Sequence, residues 1–327
     1  MMRVGIVGLG GMGGVHGSKY AHMQDVQLFG FDATPAKRTA FCDRTGATEC
    51  VSFEDLVSKC DYLDVCLPTD LHLEYGLKAI AAGKAVLMEK PMALDLPGCL
   101  QLMNAAEKAG VPLMPAQVVR YFPDYAKGHA MVASGMVGRV GAARTRRGGK
   151  MPLGAGGWFR DTARSGGVLL DLAVHDLDWL RWTLGEPMHV TSRSIAIDAP
   201  WEGEWNGDYA LTTIGFESGA VAYIEATWMD PAGFRTTFEV CGSEGMIEHD
   251  SKASWTLRTS TEGGVITEAP VVSGDDPYYR QARAFLEAVS GGTPLPVTAY
   301  DGAMAVSMAR AAIESARTGR TMVPDRP

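Results

Sequence analysis

The 327-residue chain holds no Cys-x-x-Cys pair, and its first five cysteines (Cys42, Cys50, Cys60, Cys66 and Cys99) crowd the first hundred positions, leaving Cys241 apart. That distribution excludes a disulfide scaffold and points to reduced thiols in a cytoplasmic protein. No apolar run approaches the length of a membrane span. Met1-Met2-Arg3 runs straight into strand-like Val4-Gly5-Ile6-Val7, so no secretory leader is expected. Positive charge is also short: 30 Lys and Arg against 38 Asp and Glu leave a net charge of −8. This excludes nucleic acid as the main partner, because a phosphate backbone needs a basic surface. Repeats, low-complexity tracts and charged tails are missing, and so is any tryptophan before Trp158, although the chain has seven. What remains is 46% hydrophobic and 21% charged, an ordinary globular composition on a chain long enough for two domains.

The first third alternates between strand and helix patterns. Arg3 to Val7 is β-branched and ends in Gly8-Leu9-Gly10-Gly11-Met12-Gly13, after which residues to about His22 suit a helix. Between a strand and a helix, GxGxxG has a mechanical sense. Gly8 turns the chain, Gly10 lets backbone approach a pyrophosphate, Gly13 lets helix and strand pack, and the helix N-terminus offers free N–H groups. Val26 to Phe31 reads as a second strand ending at Asp32, whose carboxylate can bind both ribose hydroxyls and repel a 2′-phosphate, favouring NAD over NADP. Lys37 and Arg38 stand close enough to meet a phosphate if the loop bends back, and a simple turn residue is the lesser alternative for Asp32.

Strands over Asp61 to Leu67, Ala85 to Met88 and Val111 to Pro115 then alternate with helices over Leu71 to Ala82 and Leu94 to Ala109. Such alternation implies a parallel sheet that binds ligands beyond the carboxyl ends of its strands. Pro68-Thr69-Asp70-Leu71-His72 and Glu89-Lys90-Pro91 occupy two such ends. A lysine fixed there can stabilise a developing alkoxide, although taken alone a strand-end lysine is better explained by solvent.

Gly166-Gly167 leads into Val168-Leu169-Leu170-Asp171-Leu172-Ala173-Val174-His175-Asp176-Leu177-Asp178-Trp179, which reads as one amphipathic helix. Asp171 and His175 are four apart and share a face, which Asp178 and Trp182 continue, while Ala173, Leu177, Leu180 and Leu184 form the apolar stripe. A carboxylate one turn from an imidazole can orient the ring and favour its protonated form, as general acid–base chemistry requires. A solvated helix face is the plainer alternative. Asp-x3-His-x2-Asp also has metal-ligand spacing, but no second His or Cys cluster supports it, and no metal is expected.

Gly8 to Gly13, Leu67-Pro68-Thr69 with His72, Ala82-Gly83-Lys84, Glu89-Lys90-Pro91, and Gly166-Gly167 leading to Asp171 and His175 together resemble the glucose–fructose oxidoreductase / inositol dehydrogenase (Gfo/Idh/MocA) family. Val168 departs from a glycine common there. The resemblance implies an α/β architecture: an N-terminal Rossmann doubly wound parallel sheet over residues 1–119, then a substrate-binding α/β domain with a large open, mainly antiparallel sheet over 120–327. It implies NAD(P)-dependent oxidation or reduction of a sugar or cyclitol hydroxyl, with Lys90, Asp171 and His175 as the catalytic group. Cofactor contacts are expected at Gly8, Gly10, Gly11, Met12, Gly13, Asp32, Leu67, Pro68, Thr69, His72, Glu89, Lys90 and Gln117. Alternatives are an acidic or nucleotide-linked sugar as substrate, or a non-catalytic nucleotide-dependent sensor.

Arg120-Tyr121-Phe122-Pro123 marks the crossover between domains, with Arg120 either facing the cleft or acting as a linker hydrogen-bonder. Arg144, Arg146, Arg147 and Lys150 form a local basic stretch, better explained by acidic neighbours on a strand than by an anionic substrate. Gly154-Ala155-Gly156-Gly157-Trp158-Phe159-Arg160-Asp161 suits a mobile loop, and Trp158 and Arg160 are the expected substrate contacts besides Asp171 and His175. Short runs from Met188 to about Ile266 read as an antiparallel sheet. One face should cover the helix of Asp171 and His175, and the other should pair with a second subunit in a homodimer or homotetramer. Helices over Pro277 to Val289 and Ala299 to Thr318 are expected to pack beside the sheet or back on the first domain.

Overall fold

The structure, a computed structural model, describes residues 1–196, 208–254, 256–269 and 276–327. Six parallel strands build the first sheet: β1 (Met2–Val7), β2 (Val26–Phe31), β3 (Thr48–Glu49), β4 (Tyr62–Val65), β5 (Ala85–Met88) and β6 (Leu113–Pro115), in the order β3-β2-β1-β4-β5-β6. Helices cover both faces, so β4 and β5 are buried along their whole length. The order reverses between β1 and β4, and the crevice beyond their carboxyl ends is where such a sheet takes its ligand. The helices Pro35–Thr45 and Phe53–Lys59 and strand β3 fall where the sequence shows no clear periodicity. Only Phe41 is buried in the first of these helices, and the second has seven residues, too few for a 3.6-residue repeat to show.

The second sheet has eight strands: β7 (Val140–Gly148), β8 (Pro187–Ile195), β9 (Tyr209–Phe216), β10 (Val221–Thr227), β11 (Arg235–Gly242), β12 (Gly245–Asp250), β13 (Leu257–Thr261) and β14 (Gly264–Glu268), in the order β14-β13-β12-β11-β7-β10-β9-β8. All its pairs are antiparallel except β7 with β10. Period-two alternation sorts its faces. Ala143, Ala210, Ile214, Ala222 and Ile224 are buried beneath the helices Gly167–Asp171, Val174–Leu184 and Ala299–Thr318, whereas Leu211 and Tyr223 stand on the open face with Arg144. Trp201, Trp205 and Trp255, within the span expected to form this sheet, lie outside the described residues.

The last two helices return to the first sheet. Pro277–Gly291 lies on Gly11–Tyr20 and sets the Phe285 ring edge-on to Tyr62 at 5.1 Å, while Ala299–Thr318 bridges Leu96–Ala109 and Val174–Leu184. Among the described residues no helix is long and apolar enough to cross a membrane. Because Phe285 is fully buried against the first sheet's own core, Phe285→Ala should destabilise the protein by about 3 kcal/mol in urea unfolding. A loss below about 1 kcal/mol would show that the helix Pro277–Gly291 is not integral to that core.

Candidate active site

The groove at the carboxyl ends of β1 and β2 is shaped by glycines. Gly8 sits at φ +89°, and a Cβ on Gly13 would lie 1.9 Å from the Gly8 carbonyl oxygen, so helix and strand can approach this closely only without a side chain. Gly10 and Gly11 face open space, and the helix they start has no side-chain cap, leaving its first N–H groups for a ligand. Asp32 braces the rim: its carboxylate accepts Leu9 N–H (3.0 Å) and Thr34 N–H (2.8 Å). Arg38 is held by the Asp32 carbonyl (2.9 Å) and Glu49 (2.8 Å), while the Lys37 ammonium stands 3.6 Å from Asp32. Gln117, just past β6, is buried, and neither of its side-chain polar atoms has a hydrogen-bond partner among the described residues. These features fit a dinucleotide: backbone donors and a cradle for pyrophosphate, a carboxylate for a ribose, and an unpaired carboxamide.

His72 has both ring nitrogens engaged within the protein. Its ring is buried, with Nδ1 2.8 Å from the Pro91 carbonyl and Nε2 2.8 Å from the Leu67 carbonyl, so it ties the Leu67-Pro68-Thr69 turn to the Glu89-Lys90-Pro91 segment. Glu89 is also buried, and its Oε2 accepts Lys90 N–H at 3.0 Å. Thr69 is buried, whereas Met12, Leu67 and Pro68 are half-buried along the groove.

Lys90 crosses the gap between the sheets. Its Nζ donates to Asp171 Oδ1 (2.9 Å) and to the Asp171 main-chain carbonyl (2.8 Å). The carbonyl is open to it because the expected single helix is broken: Gly167–Asp171 and Val174–Leu184 are separate, and at the junction Ala173 N–H reaches back to Val168 O (2.9 Å). A helix's last carbonyls lack helical donors, and a cation there also meets the negative end of the helix dipole.

His175 opens the second helix half-buried, and its Nδ1 is shielded with no hydrogen-bond partner among the described residues. Burial, then the nearby charges of Lys90 and Arg147, push its pKa well below the usual histidine value. The expectation that Asp171 favours the protonated ring is therefore corrected, because that carboxylate is engaged with Lys90. The imidazole is poised neutral, as an acceptor.

Residues 2–117 match the family model for an oxidoreductase family with an NAD-binding Rossmann fold, and residues 125–248 match the Gfo/Idh/MocA C-terminal domain. The chain belongs to the Gfo/Idh/MocA oxidoreductase family. Similar proteins include myo-inositol dehydrogenase Hyg17 of Streptomyces leeuwenhoekii, 30% identical over 98% of this chain and 99% of that protein. Another is 1,5-anhydro-D-fructose reductase of Ensifer adhaerens, 31% identical over 88% of both chains. Among solved structures, GenD2 from gentamicin A biosynthesis in complex with NAD superposes with a TM-score of 0.87 at 28% identity, covering 99% of this chain and 96% of that one.

In this Gfo/Idh/MocA oxidoreductase, Arg120 does not point freely into the cleft. Its fork binds Asp178 bidentately (2.8 and 2.6 Å), approaches Asp301 (3.4 Å) and lies over Trp182, so it acts in the structure as the linker hydrogen-bonder. Trp158 is half-buried and stacked on Phe159 at 3.9 Å, and Arg160 is exposed on the same segment. That segment is tied to the Rossmann domain by Arg164, which donates to Asp70 at 2.9 Å. Behind His175, Arg147 from β7 donates to Asp176 at 2.6 Å and holds the helix to the sheet. Neither Arg164 nor Arg147 was singled out from the sequence for these contacts. Arg147 had one signal, since on a strand it faces opposite to Arg144 and Arg146.

Removing one partner of a buried ion pair leaves the other charge uncompensated. Arg120→Met should therefore cost about 3 kcal/mol of stability in urea unfolding. A change under about 1 kcal/mol would mean that the Asp178 contact is incidental.

Proposed function

We propose that this NAD-binding oxidoreductase moves hydride between NAD and a secondary hydroxyl of an uncharged sugar or cyclitol, the ketone being the other form. The observation that carries the reading is Lys90 Nζ at 2.9 Å from Asp171 Oδ1, across the gap and beside a half-buried His175 whose Nδ1 has no hydrogen-bond partner among the described residues. When bound, the nicotinamide supplies the hydride acceptor or donor. His175 takes the proton from the reacting hydroxyl, and its neutral state lets it do so near pH 7. Lys90 donates a hydrogen bond to the same oxygen and stabilises the alkoxide, while Asp171 holds the lysine in place. Asp32 disfavours a 2′-phosphate and so favours NAD over NADP.

An anionic substrate gains little support from the basic stretch. Arg144 pairs with Glu239, Arg146 with Glu225 (3.1 Å) and Asp230 (2.8 Å), and Arg147 with Asp176 (2.6 Å). A sensor would have no use for a lysine and an imidazole at one gap. The six free cysteines favour a reducing compartment, and we assign the protein to the cytoplasm, testable by fractionation of the source cells.

Growth of reduced-nicotinamide absorbance with NAD and a panel of inositols, hexoses and anhydrosugars tests the activity, and no signal with any of them contradicts it. With an active polyol, Lys90→Met and His175→Ala should each lower turnover about a thousandfold while NADH fluorescence titrations stay near wild type. Unchanged turnover refutes the roles. Since the His175 pKa is depressed, the ring stays neutral as pH falls from 8 to 6.5, and kcat/KM for oxidation should hold across that range. An acid limb centred above pH 6.5 contradicts a depressed imidazole.

The open face of the second sheet, with Leu211 47% and Tyr223 45% exposed, suits pairing with a second copy in a homodimer or homotetramer. Light scattering of a Leu211→Asp, Tyr223→Asp double variant should give a smaller species than wild type. Equal masses rule this face out.

A further inference from the structure

Beneath the glycine loop lies a buried group that the chemistry above does not use. His16, on the helix Gly11–Tyr20, has Nδ1 2.9 Å from Asp64 Oδ2, and its Nε2, which makes no aligned hydrogen bond among the described residues, stands 3.2 Å from Glu89 Oε1, within ion-pair distance. Asp64 is a lone carboxylate in the otherwise apolar β4, and His16, Asp64 and Glu89 are all nearly inaccessible. Cys66 completes the surroundings, its Sγ 3.3 Å from Asp64 Oδ1 and 3.5 Å from His16 Nδ1, and the Tyr278 ring lies 5.8 Å from the imidazole. A ring with a carboxylate on each nitrogen is fully satisfied only with both nitrogens protonated. Two buried carboxylates in turn need a positive partner.

The other oxygen of Glu89 accepts the Lys90 backbone N–H. We propose that His16 is a positioning residue for Lys90: its imidazolium, clamped between Asp64 and Glu89, fixes the Glu89 carboxylate and through it the backbone that carries the lysine. The role of Lys90 itself rests on the reading given under Proposed function. Because the helix of His16 begins at the glycine loop, the clamp also links the pyrophosphate end of the groove to the reacting end. Asp64 faces the ring from β4, Cys66 from just past its end, Glu89 from just past β5 and Tyr278 from Pro277–Gly291. Despite burial, Asp64 and Cys66 push the His16 pKa well above the ordinary value, in accord with the clamp.

The ligand atoms of His16, Asp64 and Cys66 lie within 4.8 Å of one another, a spacing that also admits a metal ion. Glu89 decides between the two readings here, since it faces Nε2 on the other edge of the ring and adds no ligand to that trio. The three already bond to one another, His16 Nδ1 with Asp64 Oδ2 at 2.9 Å and Cys66 Sγ with Asp64 Oδ1 at 3.3 Å.

Two substitutions separate positioning from bulk stability. His16→Gln places an amide nitrogen near the Nε2 site and keeps the link to Glu89, whereas His16→Asn keeps only the link to Asp64. With the polyol that wild type turns over, His16→Asn should lose about a hundredfold in kcat with little change in NADH affinity, and His16→Gln less than about tenfold, although both lower Tm. Equal kcat losses, or none, overturn the proposal. Independently of any substrate, nitrogen NMR of histidine-labelled wild-type protein should show the His16 ring doubly protonated at pH 8. A neutral ring, or zinc retained at one equivalent through purification and lost in His16→Asn, overturns it. Failure of every polyol would remove the functional reading but leave this spectrum to judge the clamp.

Discussion

The ion pair from Lys90 to Asp171 is the constraint on which the site depends. It joins the end of β5 in one sheet to a helix end beneath the other, with both side chains largely shielded from water. A buried pair of this kind is weak evidence for stability, since desolvation offsets most of the attraction. Its value is positional. Of the ways the two sheets can be set against each other, only those that bring ammonium to carboxylate avoid leaving either charge unpaired in a low-dielectric gap.

Other buried pairs follow the same logic. Arg120 with Asp178 locks the interdomain turn to the His175 helix, and Arg147 with Asp176 locks that helix to the sheet. Arg147 and Lys90 also lower the proton affinity of His175 after burial has done so. The charges that fasten the helix thus help set its imidazole neutral. Stability, geometry and proton chemistry are carried here by one set of residues rather than by separate ones.

Much of this was readable along the chain wherever the signal is local. Strand β1, the glycine turn and Asp32 follow from a strand-to-helix switch with glycines at fixed offsets, whereas Lys90, whose strand-end place alone favoured solvent, stood out only through the resemblance carried by Glu89-Lys90-Pro91. The second sheet follows from short β-branched runs between glycines. Contacts between distant residues of opposite charge leave no such trace, so Arg120 with Asp178 and Arg164 with Asp70 required the fold. The break after Asp171 was invisible for a related reason. Leu172 and Ala173 are good helix formers, and the carbonyl that the break opens is bound by a lysine 81 residues away. His16 sits inside an ordinary-looking helix, and its importance depends on Asp64, whose position in an apolar strand is the one hint the sequence offers.

Where the reacting oxygen lies decides the chemistry at this gap. A crystal structure of the ternary complex with NADH and a bound polyol measures this directly. One substrate oxygen should lie within hydrogen-bond distance of both Lys90 Nζ and a ring nitrogen of His175, with its carbon facing the nicotinamide. A polyol bound with that carbon against the nicotinamide but its oxygen held by other groups, and Lys90 still closed on Asp171, would contradict that placement.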